Sequence, residues 1–119
     1  MPSAPSTLLD HFRQPRNAGP LAGATGSGTA QNAACGDVVR LDVRVENGRI
    51  ADARFLAQGC PASIGAASLL TTVAIGLDVA AARALDPRRL LDEAGESRAE
   101  QEHGMSLAVR ALGLALGKA

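Results

Sequence analysis

The sequence predicts an α+β fold, in which helices pack on one face of a small antiparallel sheet of about three strands. Charged and apolar residues alternate from Arg40 to Val45, a pattern typical of a strand with one face in water. Apolar residues recur at helical spacing after Pro61 and again near the C-terminus. A chain of 119 residues usually forms one domain, so we expect a single domain over residues 1–119.

A short helix is the first predicted element. The segment from Thr7 to Asp10 has the form of a capping box, an apolar stripe continues to Phe12, and Pro15 ends the helix. Residues 17–29 are rich in Gly, Ala, Ser and Thr. This composition favours a loop or a weak edge strand.

An antiparallel hairpin is predicted next. Asn47 and Gly48 both tolerate positive φ, so the pair suits a type I′ turn between two strands. Residues 41–45 would then pair with residues 50–57, and Phe55 would lie on the buried face.

Further helices are predicted after the hairpin. Pro61 is compatible with the first turn of a helix, and Asp78 and Asp86 resemble the N-caps of two short helices, the second ending at Gly95. Residues 96–102 are charged and are expected to form a solvated loop. The last helix has one apolar face, which consists of Met105, Ala108, Val109, Leu112 and Leu116.

Charge and aromatic content argue against nucleic acid as a partner. Lysine and arginine together number 12, as do aspartate and glutamate, so no long-range field attracts the chain to phosphate or anionic lipid. Phe12 and Phe55 are the only Phe, Tyr or Trp residues, which removes the usual stacking platforms. The sequence has neither a membrane-spanning apolar run nor an export signal, so we expect a cytoplasmic protein with reduced thiols.

Four residues could form a metal site. Cys35 and Asp37 precede the hairpin, and in extended chain their side chains point to the same side. Cys60 is predicted at the start of a helix, where the helix dipole favours the thiolate. His103 is expected in a polar segment ahead of the last helix. These donors suit zinc or iron, although scattered residues do not by themselves establish a shared site.

Simpler interpretations of the same residues remain open. Cys60 could be a buried core residue, Asp37 could cap its own turn, and His103 could be a solvated side chain. His11 has no identifiable partner and is expected at the surface. Met105 is expected in the core.

The order of the motifs resembles the IscU/NifU-type scaffold proteins of iron-sulfur cluster assembly. Residues 8–12 and 15–19 are similar to the family's opening helix and its Pro-Arg-Asn-x-Gly turn, and residues 32–37 to its first ligand loop. Residues 47–55 and 59–63 are similar to the hairpin that leads into its second ligand. The resemblance covers nearly the whole chain and implies a SufE/NifU-like form of the predicted fold.

The resemblance implies a carrier and not an enzyme. Such a protein receives sulfur from a cysteine desulfurase, combines it with iron, and passes a [2Fe-2S] cluster to iron-sulfur acceptor proteins. Cys35, Asp37 and Cys60 match the family's ligand positions, and His103 matches the histidine beside its third cysteine. We therefore expect these residues to bind iron, a labile [2Fe-2S] cluster or zinc.

The sequence departs from the family at two places. Gly104 stands where the family has its third cysteine, so a cluster would depend on harder ligands and be held less firmly. The Leu-Pro-Pro-x-Lys motif is also missing, since residues 95–101 read differently, and a dedicated Hsp70-type chaperone is not supported.

Two rival hypotheses follow from these residues. The loss of the third thiol favours a cluster-free paralogue that regulates or competes for a desulfurase. A further hypothesis is enzymatic, with Cys60 as a nucleophile or persulfide carrier activated by the helix terminus and His103.

Overall fold

The computed structural model describes residues 8–34, 36–94 and 99–117. Its sheet has the antiparallel order β1-β2-β3, with β1 at Gly26–Asn32, β2 at Asp37–Glu46 and β3 at Arg49–Gln58. The helices among these residues are α1 (Leu8–Arg13), α2 (Pro61–Ala74), α3 (Val79–Arg83), α4 (Pro87–Glu93) and α5 (Ala99–Leu116). The predicted α+β fold is confirmed.

The hairpin between β2 and β3 forms as predicted. Asn47 and Gly48 have φ values of 54° and 75°, and positive φ at both positions characterises the type I′ turn. Leu41 lies opposite Phe55 in the register, and both side chains are buried on the core face. The turn therefore fixes which face of both strands enters the core.

The outer edge of β3 is covered by other parts of the chain. Phe55 donates its N–H to the carbonyl of Asn17 at 2.9 Å, and Gly19 donates its N–H to the carbonyl of Phe55 at 2.8 Å. Farther along the edge, Ile50 donates its N–H to the carbonyl of Leu77 at 2.9 Å. The segment predicted as a loop thus supplies partners for an edge strand that would otherwise be open.

Helices α2 and α5 pack on the core face of the sheet. Gly28 in β1 lies directly against α5, because a Cβ added there would be 2.4 Å from the carbonyl oxygen of Ala111. The core between the sheet and these helices includes Val39, Leu41, Val43, Ile50, Leu70, Met105 and Leu112. Among the described residues, no helix combines the length and apolar content needed to cross a membrane.

The two short helices begin at the predicted caps. Asp78 accepts a hydrogen bond from the N–H of Ala81 at 2.7 Å, and Asp86 accepts one from the N–H of Arg88 at 3.2 Å. Each aspartate satisfies a backbone donor that the first turn leaves free. The predicted capping residue Thr7 and the predicted helix end at Gly95 lie outside the described residues.

Helix α5 begins earlier than expected. It starts at Ala99, so the prediction of a loop through residue 102, with His103 ahead of the helix, was wrong. Residues 99–102 read Ala-Glu-Gln-Glu, which are strong helix formers. Glutamate in a first turn also interacts favourably with the helix dipole. His103 consequently occupies a fixed backbone position on α5.

The expectation that His11 lies at the surface was also wrong. Its side chain is 1% exposed, and its Nδ1 atom lies 2.7 Å from the Oγ atom of Ser68 in α2. The same Oγ accepts the N–H of Arg16 at 2.8 Å. Burial lowers the pKa of His11, the charge of Arg16 lowers it further, and Asp10 opposes both. This contact fastens α1 and its following turn to α2.

Candidate metal centre

Asp37 and Cys60 meet at one end of the sheet. The Oδ1 atom of Asp37 accepts the N–H of Cys60 at 3.0 Å, and its Oδ2 atom accepts the thiol at 3.2 Å. Ser63 donates its hydroxyl to the same Oδ2 at 2.7 Å and lies 3.6 Å from the sulfur of Cys60. A carboxylate, a thiol and a hydroxyl thus share one small polar cluster.

The register of the sheet brings these residues together. Asp37 is the first residue of β2, and Val38 lies opposite Gln58 at the end of β3. The chain turns at Gly59, whose φ of 136° is strained for residues with side chains. A Cβ at Gly59 would lie 2.0 Å from the Oδ1 atom of Asp37, so only glycine leaves room for the carboxylate.

Cys60 is exposed and immediately precedes α2. It adopts an extended N-cap conformation, with φ of −75° and ψ of 157°, and Pro61 begins the helix. The core interpretation of Cys60 is therefore wrong, because the residue is exposed at the start of a helix. An exposed thiol beside helical N–H groups can be reached by metal ions or partner proteins.

Asp37 holds the start of α2 in place and does not merely cap its own turn. Its side chain is 6% exposed, and it accepts hydrogen bonds from Cys60 and Ser63 at the start of α2. A buried carboxylate with several donors is oriented firmly. The Oδ2 atom of Asp37 accepts both the thiol and the hydroxyl, so loss of the thiol proton would make one of its lone pairs available to a cation.

Sequence reasoning missed Ser63. It is fully buried, at 0% exposure, in the first turn of α2 and orients the carboxylate of Asp37. Its position three residues after Cys60 places both residues on one helical face, and that spacing was the available signal. Such a donor behind a candidate ligand is typical of metal sites, where it fixes the ligand's orientation.

The separation of sulfur and oxygen suits a chelated ion. With Zn–S of about 2.3 Å and Zn–O of about 2.1 Å, a tetrahedral site separates the two donors by about 3.6 Å. The sulfur of Cys60 and the Oδ2 atom of Asp37 are 3.2 Å apart. Loss of the thiol proton and an opening of a few tenths of an ångström would admit the ion, so the pair fits a metal.

His103 lies near this end of the sheet but outside the cluster. It is exposed on α5 and lines a cavity with Asn32, Ser106, Leu107 and Arg110. The structure describes residues 8–34, 36–94 and 99–117, and no three His, Cys, Asp or Glu side chains within those ranges are placed to hold one ion. Asp37 and Cys60 are brought together, whereas His103 does not join them in this arrangement.

Two positions named in the sequence analysis remain, the predicted ligand Cys35 and Gly104, which stands where the family has its third cysteine. Cys35 falls outside the described residues, although its neighbour Gly36 donates its N–H to the carbonyl of Asn32 at 2.8 Å. Gly104 packs against α2, where an added Cβ would be 3.0 Å from backbone atoms of Ala62 and Ser63. The position of the missing thiol thus adjoins the helix start that carries Cys60.

The family comparison agrees with the sequence resemblance. Residues 5–118 match the family model described as NifU-like N terminal domain. The nitrogen fixation protein NifU of Cereibacter sphaeroides is 45% identical over 108 residues, which cover 91% of this chain and 44% of that protein. The iron-sulfur cluster assembly scaffold protein IscU of Aquifex aeolicus is 35% identical over 111 residues, covering 92% of this chain and 71% of that protein. The chain therefore spans less than half the length of the Cereibacter relative.

Solved structures share the fold. A candidate iron-sulfur cluster assembly scaffold protein for the SUF system from Fervidobacterium islandicum superposes with a TM-score of 0.73 at 19% identity, covering 92% of this chain and 93% of that chain. The N-terminal part of a NifU-like protein from Brucella abortus has a TM-score of 0.61 at 19% identity, covering 92% and 83%. At this identity the likeness concerns the fold alone.

Proposed function

Since this chain belongs to the NifU-like N-terminal domain family, we propose that it serves iron-sulfur cluster assembly as a scaffold or carrier. Its cargo would be iron, a labile [2Fe-2S] cluster or zinc. The proposed binding residues are Cys35, Asp37, Cys60 and His103. The proposal assigns the chain no catalytic step of its own.

One observation carries the metal-binding part of the proposal. The sulfur of Cys60 lies 3.2 Å from a carboxylate oxygen of Asp37, close to the separation of two donors on one ion. Little rearrangement of Asp37 and Cys60 is needed to admit an ion, because Cys60 is exposed and Ser63 already orients the carboxylate. Cys35, which lies between β1 and β2 in the sequence, and His103 on α5 would complete the coordination.

The proposed partners are a cysteine desulfurase and iron-sulfur acceptor proteins. Transfer of sulfur or of a cluster requires a partner to approach the ligands closely. Exposure of Cys60 at the start of α2 supports such an approach. Family membership is the further support for these partners, because relatives of this chain are scaffold proteins of iron-sulfur cluster assembly.

Metal analysis of site variants tests the proposal. The purified protein, titrated with Zn²⁺ and separately with Fe²⁺ under anaerobic conditions, is expected to bind metal saturably. Cys60→Ser and Asp37→Asn should each weaken binding by at least about tenfold, because each removes a ligand that is better than its replacement. Asp92→Asn is the matched control, since Asp92 is an exposed carboxylate on α4. Equal affinities in all variants would refute the proposed site.

The packing of Gly104 favours a second candidate function. Gly104 lies so close to Ala62 and Ser63 that a side chain there would require the start of α2 to shift by a few tenths of an ångström. A chain without that thiol could keep the scaffold surface and compete for a desulfurase without carrying a cluster. Desulfurase inhibition by metal-free protein that is unaffected by Cys60→Ser would favour this candidate over the first.

A further inference from the structure

We propose that the cavity beside the β1–β2 turn is a binding site for a small oxyanion, either free phosphate or the carboxylate of a partner protein. Its volume is about 260 Å³. Sites for drug-sized ligands measure about 300–1,000 Å³, so this cavity suits a single small anionic group. The proposal goes beyond metal binding; the cavity shares His103 with the proposed metal ligands, so the test uses metal-free protein.

Four of the five residues that line the cavity carry a side-chain hydrogen-bond donor. The polar lining residues are Asn32, His103, Ser106 and Arg110. The side-chain carbonyl of Asn32 already accepts the N–H of Ala34 at 3.0 Å, which leaves its amide group as a donor. Serine can donate its hydroxyl hydrogen, and neutral imidazole can donate one N–H. No carboxylate is among the lining residues.

Arg110 supplies the positive charge. Its guanidinium donates one hydrogen bond, to the carbonyl of Gln31 at 3.3 Å, and forms no ion pair within residues 8–34, 36–94 and 99–117. An arginine has five N–H donors, so most remain for a ligand. The acidic neighbour Glu102 does not neutralise the cavity, because it faces Arg88 at 3.9 Å.

The cavity walls are held at fixed backbone positions. His103, Ser106 and Arg110 recur at three- and four-residue intervals on α5, so they share one face of a regular helix. Leu107 forms an apolar wall and is 5% exposed. Asn32 is the last residue of β1, directly before the turn between β1 and β2. An anion bound here would therefore contact the base of that turn.

NMR titration of the metal-free protein tests the proposal. The probes are inorganic phosphate and N-acetyl-glutamate amide. N-acetyl-glutamine amide, which lacks the side-chain charge, and chloride at equal ionic strength are the controls. Saturable shifts of the Ser106 and Leu107 amides are expected with one or both anions. Tighter phosphate binding indicates a free oxyanion, and tighter glutamate binding indicates an acidic side chain of a partner.

Variants of Arg110 separate a built site from a general salt effect. Arg110→Gln should weaken anion binding by about tenfold or more, since hydrogen bonds to charged groups are worth about 1.5–3 kcal/mol. Arg110→Lys should bind with intermediate affinity, because lysine keeps the charge but loses the planar fork. Arg13→Gln on α1 is the control. Shifts that match those in chloride, or that survive Arg110→Gln, would overturn the proposal, whereas metal binding would stand unchanged.

Discussion

Replacing Gly104 by cysteine tests whether α5 faces the proposed metal centre. A Cβ at this position would lie 3.0 Å from the carbonyl group of Ala62 and the nitrogen of Ser63. Carbon atoms in good contact are about 3.5–4.0 Å apart, so the start of α2 has to shift. Overpacking costs about 1–3 kcal/mol, and removing a helical glycine returns about 0.5–1 kcal/mol, so we expect a net loss of up to about 2.5 kcal/mol.

Gly104→Ala is the matched control, because it adds the same Cβ without a thiol. Both variants should therefore lose similar stability in urea denaturation. The cysteine variant alone should hold a reconstituted cluster longer, since its sulfur would lie beside the start of α2 next to Cys60. Removing a residue that only hydrogen-bonds to a metal ligand already lowers metal affinity by about 10–100-fold. A new thiolate ligand should thus lengthen the cluster lifetime by at least about tenfold relative to alanine.

The assay is anaerobic reconstitution with iron and sulfide, followed by the decay of the visible absorbance of the cluster. Circular dichroism and urea denaturation of each variant establish that it is folded. If folded Gly104→Cys and Gly104→Ala proteins lose their clusters at the same rate, the thiol does not reach the site. The placement of α5 against the metal centre would then be incorrect.

Three further substitutions test the packing around the site and the sheet. Burial lowers the pKa of His11 below 6.5, so the folded state favours the neutral imidazole and the free energy of unfolding should fall as pH drops below 6.5. Urea midpoints measured against pH should show this decrease in the native sequence and lack the contribution of His11 in His11→Gln. The same pH dependence in both proteins would contradict the prediction. Gly59→Ala should lower the free energy of unfolding by about 2–5 kcal/mol, because it strains the backbone and displaces Asp37. Gly113→Ala, where a Cβ meets open space, should cost nothing. Equal urea midpoints for the two variants would contradict the prediction. Asp42→Asn should cost about 1.5–3 kcal/mol by thermal or urea unfolding, through weaker bonds to its donors, and a neutral result would contradict that role.

Asp42 also illustrates where the period-two pattern fails. The alternation of β2 predicts its side chain on the wet face, yet Asp42 is 4% exposed. It accepts hydrogen bonds from Ser27, Arg40 and the N–H of Leu21. Burial alone would raise the pKa of Asp42, but these bonds and the charge of Arg40 lower it. The loop that covers this face comes from a distant part of the sequence, so a local pattern could not predict it.

Local chemistry predicted most elements well. The early start of α5 was missed although its signal is local, whereas the errors at His11 and Asp42 came from distant contacts. The turn at Asn47 and Gly48 depends on neighbouring residues, and it forms as expected. His11 was misplaced because its partner Ser68 lies 57 residues away and carries no local signal. At the site, Pro61 made it possible to predict that a helix begins at Cys60. The distance between Cys60 and Asp37 depends on the register of β2 and β3, which the sequence does not specify locally.

X-ray absorption at the zinc edge of the zinc-loaded protein tests the central claim most directly. If Cys60 and Asp37 chelate the ion, the spectrum contains a sulfur shell at about 2.3 Å and an oxygen or nitrogen shell at about 2.0–2.2 Å. The sulfur shell should decrease in Cys60→Ser and persist in Asp92→Asn. A spectrum with no sulfur shell, or one that Cys60→Ser leaves unchanged, would contradict metal binding at the pair where β2 and α2 begin.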